Sequence, residues 1–357
     1  MFNLNKVKEQ LHILPDSVGE GSFGCVHLCL IDNKKYAIKC EDKTKGTILS
    51  LLKEFKMCRR IYNIQKYLID KNEDDNTSIL IYNHIVNNNI LNIPDALSIH
   101  YLRDNKIIPE PKTYYECEDY NLLTMDLCGI NFEQILENYK LTEKCKYYIA
   151  FHLLLIMSCI HRTGIIHRDM KLANLVISDD IDSENLKIIL IDMGLAKEFY
   201  TYENGKVVNI KPKKATNITG TIRYLSLNIH EYNSPSIVDD LIGMCYMLIN
   251  IFTERDLPWV GFKKDEKKFD RTKHTPKHCK CKYHENIEKG YHRNTISEVK
   301  FHISLNKLCD GYGFLKEWLM YLYSLNIGQM PSYNILLNIL LKDKQFIIDN
   351  KLEFIKK

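Results

Sequence analysis

No apolar stretch of this sequence is long enough to cross a lipid bilayer. The longest runs, such as 151–157 and 188–191, fall far short of the about 20 residues that a spanning helix needs. The first residues, MFNLNKVKEQLHIL, have neither a continuous apolar core nor a small-residue cleavage site, so we expect no signal peptide. Neither a membrane partner nor secretion is therefore expected.

A strong excess of charge of one sign is also missing. The formal net charge of +4 is too mild to indicate nucleic acid as a partner. Without a secretion signal, the 12 scattered cysteines are expected to be reduced thiols in an intracellular compartment, the cytoplasm, the nucleus or both. The hydrophobic share of 45% and the charged share of 26% are typical of a globular protein with a sizeable core.

The stretch that is richest in chemistry is HRDMKLANLVI at 167–177, together with IDMG at 191–194. Its polar groups are two carboxylates, an ammonium and a side-chain amide: Asp169, Asp192, Lys171 and Asn174. Phosphoryl transfer from a nucleotide needs such groups, because one carboxylate orients the attacking hydroxyl while the amide and the other carboxylate hold Mg²⁺. The H-R-D-x-x-x-x-N spacing is a signature of protein kinases.

Near the N-terminus, VGEGSFGCVHLCLID at 18–32 alternates apolar and small residues around Gly19, Gly21 and Gly24. This pattern predicts two strands joined by a glycine-rich turn, whose backbone amides can approach a polyphosphate. An ordinary flexible hairpin and a dinucleotide-binding turn are the alternatives. The dinucleotide turn would require a helix after the third glycine, whereas a second strand follows here.

Lys39 ends an apolar strand at 36–42 and is followed by a helical pattern from Ile48 to Cys58. Its distance from the glycines fits a lysine that contacts the α- and β-phosphates; a solvated strand end is the alternative. Glu54 lies on the helix and can pair with Lys39, unless it is only a solvated helix carboxylate. Glu41 is the other candidate, but it is too close along the chain to meet Lys39.

The rest of the chain alternates between helical, extended and polar segments. We interpret 63–92 as a partly helical insertion with mobile surface loops, 93–102 as a strand, and 103–119 as a loop. Two amphipathic helices are predicted at 131–163, the second between a Thr142 cap and Gly164. Helical patterns resume at about 296 and continue to the end.

Two further features concern the region around the acidic groups. Residues 194–231 are long, polar and basic, which suits a substrate-facing segment. Asp240 stands at the start of a buried helix and is a candidate to cap the backbone of the 167–174 loop.

Together these segments resemble the eukaryotic protein kinases, and more narrowly the casein kinase I group with the related vaccinia-related kinases. The resemblance covers roughly residues 12–342. Its group-specific motifs are GEGSFGCVHL at 19–28, GTIRYLSLNIHE at 220–231 in place of A-P-E, DDLIGMCYML at 239–248, LPWVGF at 257–262 and MPSYNILLNIL at 330–340. Met193 departs from the family, which usually has Phe there, although Met can preserve the packing.

The resemblance implies an α+β, two-lobed protein-kinase fold. The N-lobe, about 12–128 with the insertion 63–92, would be a small antiparallel β-sheet with one main helix. The C-lobe, about 129–342 with an insertion at 263–295, would be mostly helical. Residues 343–357 would form a C-terminal helical tail.

The implied activity is transfer of the γ-phosphate of ATP, with Mg²⁺, to Ser or Thr of proteins at acidic or phospho-primed sites. Asp169, Lys171 and Asn174 would be catalytic, and Asn174 and Asp192 would hold the metal. The residues implied to contact ATP are Gly19, Gly21, Gly24, Val26, Ala37, Lys39, Glu54, Met125, Asp126 and Cys128. Arg223 is implied to bind acidic or phosphorylated substrate residues, with a structural ion pair as the alternative.

Two other functional classes are the alternatives. A pseudokinase, which would bind ATP and partner proteins as a scaffold, would be favoured by loss of Lys39, Asp169, Asn174 or Asp192, and all four are present. A phosphotransferase that acts on small molecules is disfavoured, because the segment at 220–231 resembles one found in kinases with protein substrates.

The insertion at 263–295 is rich in His, Cys and Lys. Possible zinc ligands are His274, His278, Cys279, Cys281, His284 and His292. Structural zinc sites usually pair short spacings of two to four residues at two separate places, and Cys279 and Cys281 are too close together for that. A basic surface loop is therefore favoured over a zinc site at 274–292.

Overall fold

The computed structural model describes residues 11–21, 24–44, 50–70, 76–92, 95–211, 214–265, 269–270, 295–326, 328–343 and 351–357. An antiparallel five-stranded sheet forms the N-terminal part, in the order β1-β2-β3-β5-β4. Its strands are β1 (His12–Gly21), β2 (Gly24–Ile31), β3 (Lys34–Asp42), β4 (Pro111–Glu116) and β5 (Tyr120–Asp126). The predicted glycine-rich hairpin is confirmed in its strands, since Gly21 pairs with Gly24.

Helix α1 (Leu51–Asp70) packs against β4 and β5, and α2 (Asn76–Asn87) and α3 (Asp95–Asp104) pack against α1. The prediction of a strand at 93–102 was wrong. Ser98 and Leu102, four residues apart, are buried, which is the period of one helix face. The β-branched and aromatic residues of that stretch favoured a strand locally, but packing against the neighbouring helices decided otherwise.

The prediction that 63–92 is partly helical is confirmed where the structure describes it. Residues 63–70 continue α1, and α2 buries Ile79, Ile81, Tyr82 and Ile85. Asn63 and Asn83, for example, lie within α1 and α2 and not in loops. The loop predicted at 103–119 likewise contains β4, an edge strand that tolerates its first-position proline.

The C-terminal part is mostly helical. Its helices are α4 (Phe132–Asn138), α5 (Glu143–Arg162), α6 (Leu227–His230), α7 (Ile237–Thr253), α8 (Ile296–His302), α9 (Leu305–Cys309), α10 (Gly313–Ser324) and α11 (Tyr333–Lys342). The predicted cap is confirmed: the Thr142 side chain accepts a hydrogen bond from the Cys145 N–H. Helices α5 and α7 are buried over most of their length and form the centre of the core, around which the other helices pack.

Short strand pairs complete this part: β6 (Tyr139–Leu141), β7 (Ile165–Ile166), β8 (Leu175–Ile177), β9 (Ile188–Leu190), β10 (Lys197–Glu198), β11 (Tyr200–Glu203), β12 (Lys206–Asn209) and β13 (Phe354–Lys356). The helical tail predicted at 343–357 was wrong where it is described. Strand β13 pairs with β6 in an antiparallel two-stranded sheet.

The architecture confirms the predicted fold class, an α+β fold with an antiparallel sheet before a helical part. Within the described ranges, no helix combines the length and the apolar character that a membrane span requires. The zinc candidates at 274–292 lie outside the described residues.

Candidate active site

Strand β3 and helix α1 bring Lys39 and Glu54 together. Lys39 Nζ lies 2.6 Å from Glu54 Oε1 and 3.5 Å from Asp192 Oδ1, and the Glu54 side chain is only 2% exposed. Burial lowers the pKa of Lys39, but the charges of Glu54 and Asp192 outweigh it, so that the pKa is raised above its ordinary value. Lys39 is therefore a fixed cation, as contact with phosphate oxygens requires.

Glu41, the other candidate partner of Lys39, is engaged elsewhere. Its carboxylate accepts hydrogen bonds from Ser50 N at 2.5 Å, Leu51 N at 3.2 Å and Asn121 Nδ2 at 3.0 Å, and it is fully buried. A carboxylate at the first backbone N–H groups of a helix satisfies donors that have no partner within the helix. Glu41 therefore anchors the start of α1.

The loop at 167–174 holds Asp169 from several sides. Lys171 Nζ lies 2.8 Å from Asp169 Oδ2, and Asn174 Nδ2 donates to the Asp169 carbonyl oxygen at 2.9 Å. On the other side, Thr221 donates to Asp169 Oδ1 through both its N–H, at 2.9 Å, and its hydroxyl, at 2.7 Å. The carboxylate is thus oriented before any substrate arrives.

Two hydrogen bonds join this loop to the segment that carries Asp192. Ile191 N–H donates to the Asn174 carbonyl at 2.9 Å, and His167 Nε2 lies 3.1 Å from the Ile191 carbonyl oxygen. Burial raises the pKa of Asp192, but the charges of Lys39 and Lys171 outweigh it and the pKa is lowered. Asp192 is therefore an anion in the same cleft as Asp169.

Asp240 fixes the loop backbone, as predicted. Its carboxylate accepts from His167 N–H at 2.6 Å and from Arg168 N–H at 2.8 Å, and it lies 3.0 Å from His161 Nε2. Arg168 has a φ of +72° and Asp192 one of +68°, a conformation that non-glycine residues adopt at a cost of about 1–3 kcal/mol. The buried carboxylate offsets part of that strain at Arg168.

We expect Asp240→Asn to lower the free energy of unfolding by about 3 kcal/mol at pH 7, because the amide presents a donor to buried N–H groups. Burial raises the pKa of Asp240, but its hydrogen bonds with His161 and with the Arg168 N–H have the larger effect, so the pKa is lowered overall. The carboxylate's contribution is therefore complete above its ordinary pKa of about 3.9 and is lost as the pH falls through the lower folded-state value. Urea unfolding of wild type and variant should show a constant difference from pH 7 to 5 that narrows only below about pH 4. A difference that closes between pH 7 and 5 would assign the effect to a histidine.

The residues predicted around the adenine of ATP lie on adjacent strands. Val26 pairs with Lys39 across β2 and β3, and Ala37 pairs with Met125 across β3 and β5. Met125 is buried and so can serve both as core and as pocket wall. Gly19, Gly21 and Gly24 lie in β1 and β2, and their contact with phosphates stays a prediction.

The connection after β5 uses part of its own hydrogen-bonding capacity. Asp126 N–H donates to the Glu110 carbonyl at 3.1 Å, and its carboxylate pairs with Lys106 and Lys112. A contact of Asp126 with the base through that amide is therefore disfavoured, whereas Cys128 is half-buried at the following turn. Gly129 is required there, since a Cβ atom would lie 1.9 Å from the Asp179 carbonyl oxygen.

Asn174 and Asp192 fit a magnesium ion by the chemistry of their donors. Mg²⁺ prefers hard oxygen ligands and in nucleotide sites takes one or two protein side chains beside the phosphates. Asn174 uses its Nδ2 for Asp169, which leaves its amide oxygen for a metal. No cluster of three or more His, Cys, Asp and Glu able to hold a metal is found in the part of the chain that the structure describes.

Sequence reasoning missed two contributors to this site. Thr221 was noted only as part of the 220–231 motif, although it makes two hydrogen bonds to Asp169. Lys53 had no role predicted from the sequence; burial lowers its pKa, the charges of Arg168 and Lys197 lower it further, and the charge of Glu198 opposes them. The sequence signal for Thr221 was a threonine directly after a glycine in a substrate-facing segment. The sequence contains no comparable signal for Lys53.

The family model of the protein kinase domain matches residues 97–310, more than half of the chain. The chain therefore belongs to the protein kinase family, whose members transfer phosphate from ATP with a divalent metal ion, usually Mg²⁺. The match begins within α3, so Lys39 and Glu54 lie before it, and their assignment rests on the geometry described above.

Proposed function

We propose that this protein is an active serine/threonine protein kinase of the casein kinase I and vaccinia-related kinase group. The observation that carries the proposal is the complete ionic set in one cleft. Lys39 reaches both Glu54 and Asp192, and Lys171 reaches Asp169 while its charge acts on Asp192. The domain would span 12–342, with its lobes meeting near residue 128.

In this proposal each group has one task. Asp169 receives or orients the proton of the acceptor hydroxyl, and Thr221 holds the carboxylate in place. Lys39 contacts the α- and β-phosphates, and Lys171 stabilises the γ-phosphate during transfer. Asn174 and Asp192 would hold Mg²⁺, which when bound neutralises phosphate charge. Lys171 at this position resembles Ser/Thr kinases, which supports Ser and Thr over Tyr as acceptors.

Cations near the acceptor segment support a preference for acidic or phosphorylated substrates. Arg168 Nε is buried with no hydrogen-bond partner among the described residues, and Arg168 and Lys197 lie near enough to Lys53 to lower its pKa, with Glu198 opposing them. Arg223 is more than a third exposed, and its carboxylate partner, Glu133, is 4.0 Å away. An exposed ion pair of this length contributes little free energy. Arg223 is therefore available to an anionic substrate residue.

The test uses matched peptides that carry one acceptor Ser, with acidic, phosphoserine, neutral or basic flanks, together with radiolabelled ATP and Mg²⁺. We expect kcat/KM to be about tenfold higher for acidic or phosphorylated peptides than for neutral ones, as one or two charge-assisted hydrogen bonds would produce. Arg223→Gln should reduce that preference, while Arg103→Gln, an exposed arginine paired with Asp104, should not.

Other outcomes have clear meanings. A preference for basic peptides would contradict the substrate class, and label on tyrosine would contradict the acceptor class. ATP binding without transfer to any peptide or protein would favour the scaffold alternative.

A further inference from the structure

A buried lysine lies outside the ionic set of the cleft. Lys300, on α8, is only 5% exposed. Its ammonium lies 5.4 Å from the centre of the Tyr246 ring and 5.1 Å from that of Trp259. A buried ammonium is costly unless its protons find acceptors, so the identity of those acceptors indicates what Lys300 holds.

The acceptors belong to the segment that follows Thr221. Lys300 Nζ donates to the Ile222 carbonyl at 2.8 Å and to the Leu225 carbonyl at 2.7 Å. Between these two, the Arg223 carbonyl accepts from Trp259 Nε1 at 2.7 Å. Three carbonyls within four residues are thus held by side chains from other parts of the C-terminal half.

His230 and Asp265 complete the environment of the ammonium. Lys300 Nζ lies 3.3 Å from His230 Nε2, and His230 Nδ1 lies 2.7 Å from Asp265 Oδ2. Burial raises the pKa of Asp265, but contacts with His230, Ser297 and Thr295 lower it to about 2, while burial lowers that of His230. His230 Nε2 thus contacts Lys300 while its Nδ1 lies beside the Asp265 carboxylate; burial lowers the pKa of Lys300, and the charge of Asp265 opposes that shift.

The segment that Lys300 holds is also the one that orients Asp169. Thr221, one residue before the first held carbonyl, makes both hydrogen bonds to Asp169 Oδ1. We propose that Lys300 is a positioning residue, which fixes residues 221–225 so that the protein acceptor and Asp169 are aligned; this rests on the proposed function. We expect ATP binding to change little, because the hydrogen bonds of Lys300 are with residues 222–230 and not with Lys39 or Glu54.

The central variant is Lys300→Met, whose unbranched apolar chain suits the aromatic surroundings but leaves the two carbonyls without a donor. We expect KM for the peptide to rise about tenfold and kcat to fall, while KM for ATP changes less than twofold. Lys300→Arg keeps a cationic donor and should recover part of the loss. Lys307→Met, an exposed lysine on the neighbouring helix α9, is the matched control and should behave as wild type.

A second readout does not require activity. Hydrogen exchange at the amides of Thr221 and Tyr224 should be about tenfold faster in Lys300→Met than in wild type or Lys307→Met, since these amides would lose the held backbone around them. If Lys300→Met does not fold, His230→Phe removes the His230 contact of Lys300, together with the partner of Asp265, and should shift both readouts in the same direction.

The outcomes separate the two proposals. A folded Lys300→Met with unchanged peptide KM and unchanged exchange would overturn the positioning role while the kinase proposal stands. Faster hydrogen exchange in Lys300→Met, combined with no phosphate transfer by wild type, would support the fixing of residues 221–225 by Lys300 and overturn the proposed function. An equal rise in KM for ATP and for peptide would mean a merely structural lysine.

Discussion

Asp192→Asn is expected to reduce phosphate transfer about a thousandfold, the scale on which removal of one preorganised electrostatic group acts. Asp192 is the carboxylate of the proposed metal set, and the cations around it lower its pKa, so it is charged at neutral pH. The amide retains the shape and the contact with Gly194 N–H but loses the charge. The fold should persist, because Asp192 is half-buried and makes only long contacts in the protein.

The measurement is transfer of radiolabelled phosphate with Mg²⁺, together with calorimetric titration of ATP with and without Mg²⁺. In wild type, Mg²⁺ should tighten ATP binding; in Asp192→Asn most of that gain should vanish. Asp182→Asn, on the exposed turn between β8 and β9, controls for loss of a negative charge nearby. A variant that keeps a tenth of the wild-type rate would mean that Asp192 is not a metal ligand.

Asp169→Asn is expected to reduce the rate by about a thousandfold as well, within the range for loss of a positioned general base. The amide oxygen can still accept from Thr221, but its NH₂ group would face Lys171 Nζ, which now lies 2.8 Å from a carboxylate oxygen. Both the proton acceptor and the neutralising charge for Lys171 are lost.

The two variants should differ in ATP binding, and this makes the assignment of roles testable. Asp169→Asn should bind Mg²⁺ and ATP as tightly as wild type and fail only in the chemical step. Single-turnover experiments with saturating ATP and peptide measure that step directly. If Asp169→Asn lost the Mg²⁺-dependent gain in ATP affinity and Asp192→Asn did not, the two carboxylates would have been assigned in reverse.

The ionic set could be predicted because short motifs determine its local geometry. The spacing from Asp169 to Asn174 is confined to one loop, and a helical period places Glu54 on the face of α1 that meets β3. The exclusion of Glu41 also followed from the sequence, since Glu41 is too near along the chain to cross the sheet to Lys39. In each case the relevant contact depends on neighbours a few residues away or on one strand–helix pairing.

The remaining features depend on contacts between distant residues. Strand β13 was predicted as helix because its pairing with β6 joins residues more than 200 positions apart. The helix at α3 was predicted as a strand because its buried face appears only against α1 and α5. Lys300 and Asp265 come from a region where the resemblance offers no motif, and only the folded chain brings them to the segment after Thr221.

Helix α1 is held near both of its ends. Glu41 binds the N–H groups at its start, Lys39 binds Glu54 in its first turn, and towards its other end Gln65 Nε2 donates to the carbonyls of Leu102 and Asn105. Swinging the helix away would expose fully buried residues such as Ile61 and Ile64, at about 2–3 kcal/mol for each side chain. Withdrawal of Glu54 from Lys39 is therefore energetically costly in this molecule. Inhibitors or regulatory proteins that act by displacing that helix should consequently bind weakly.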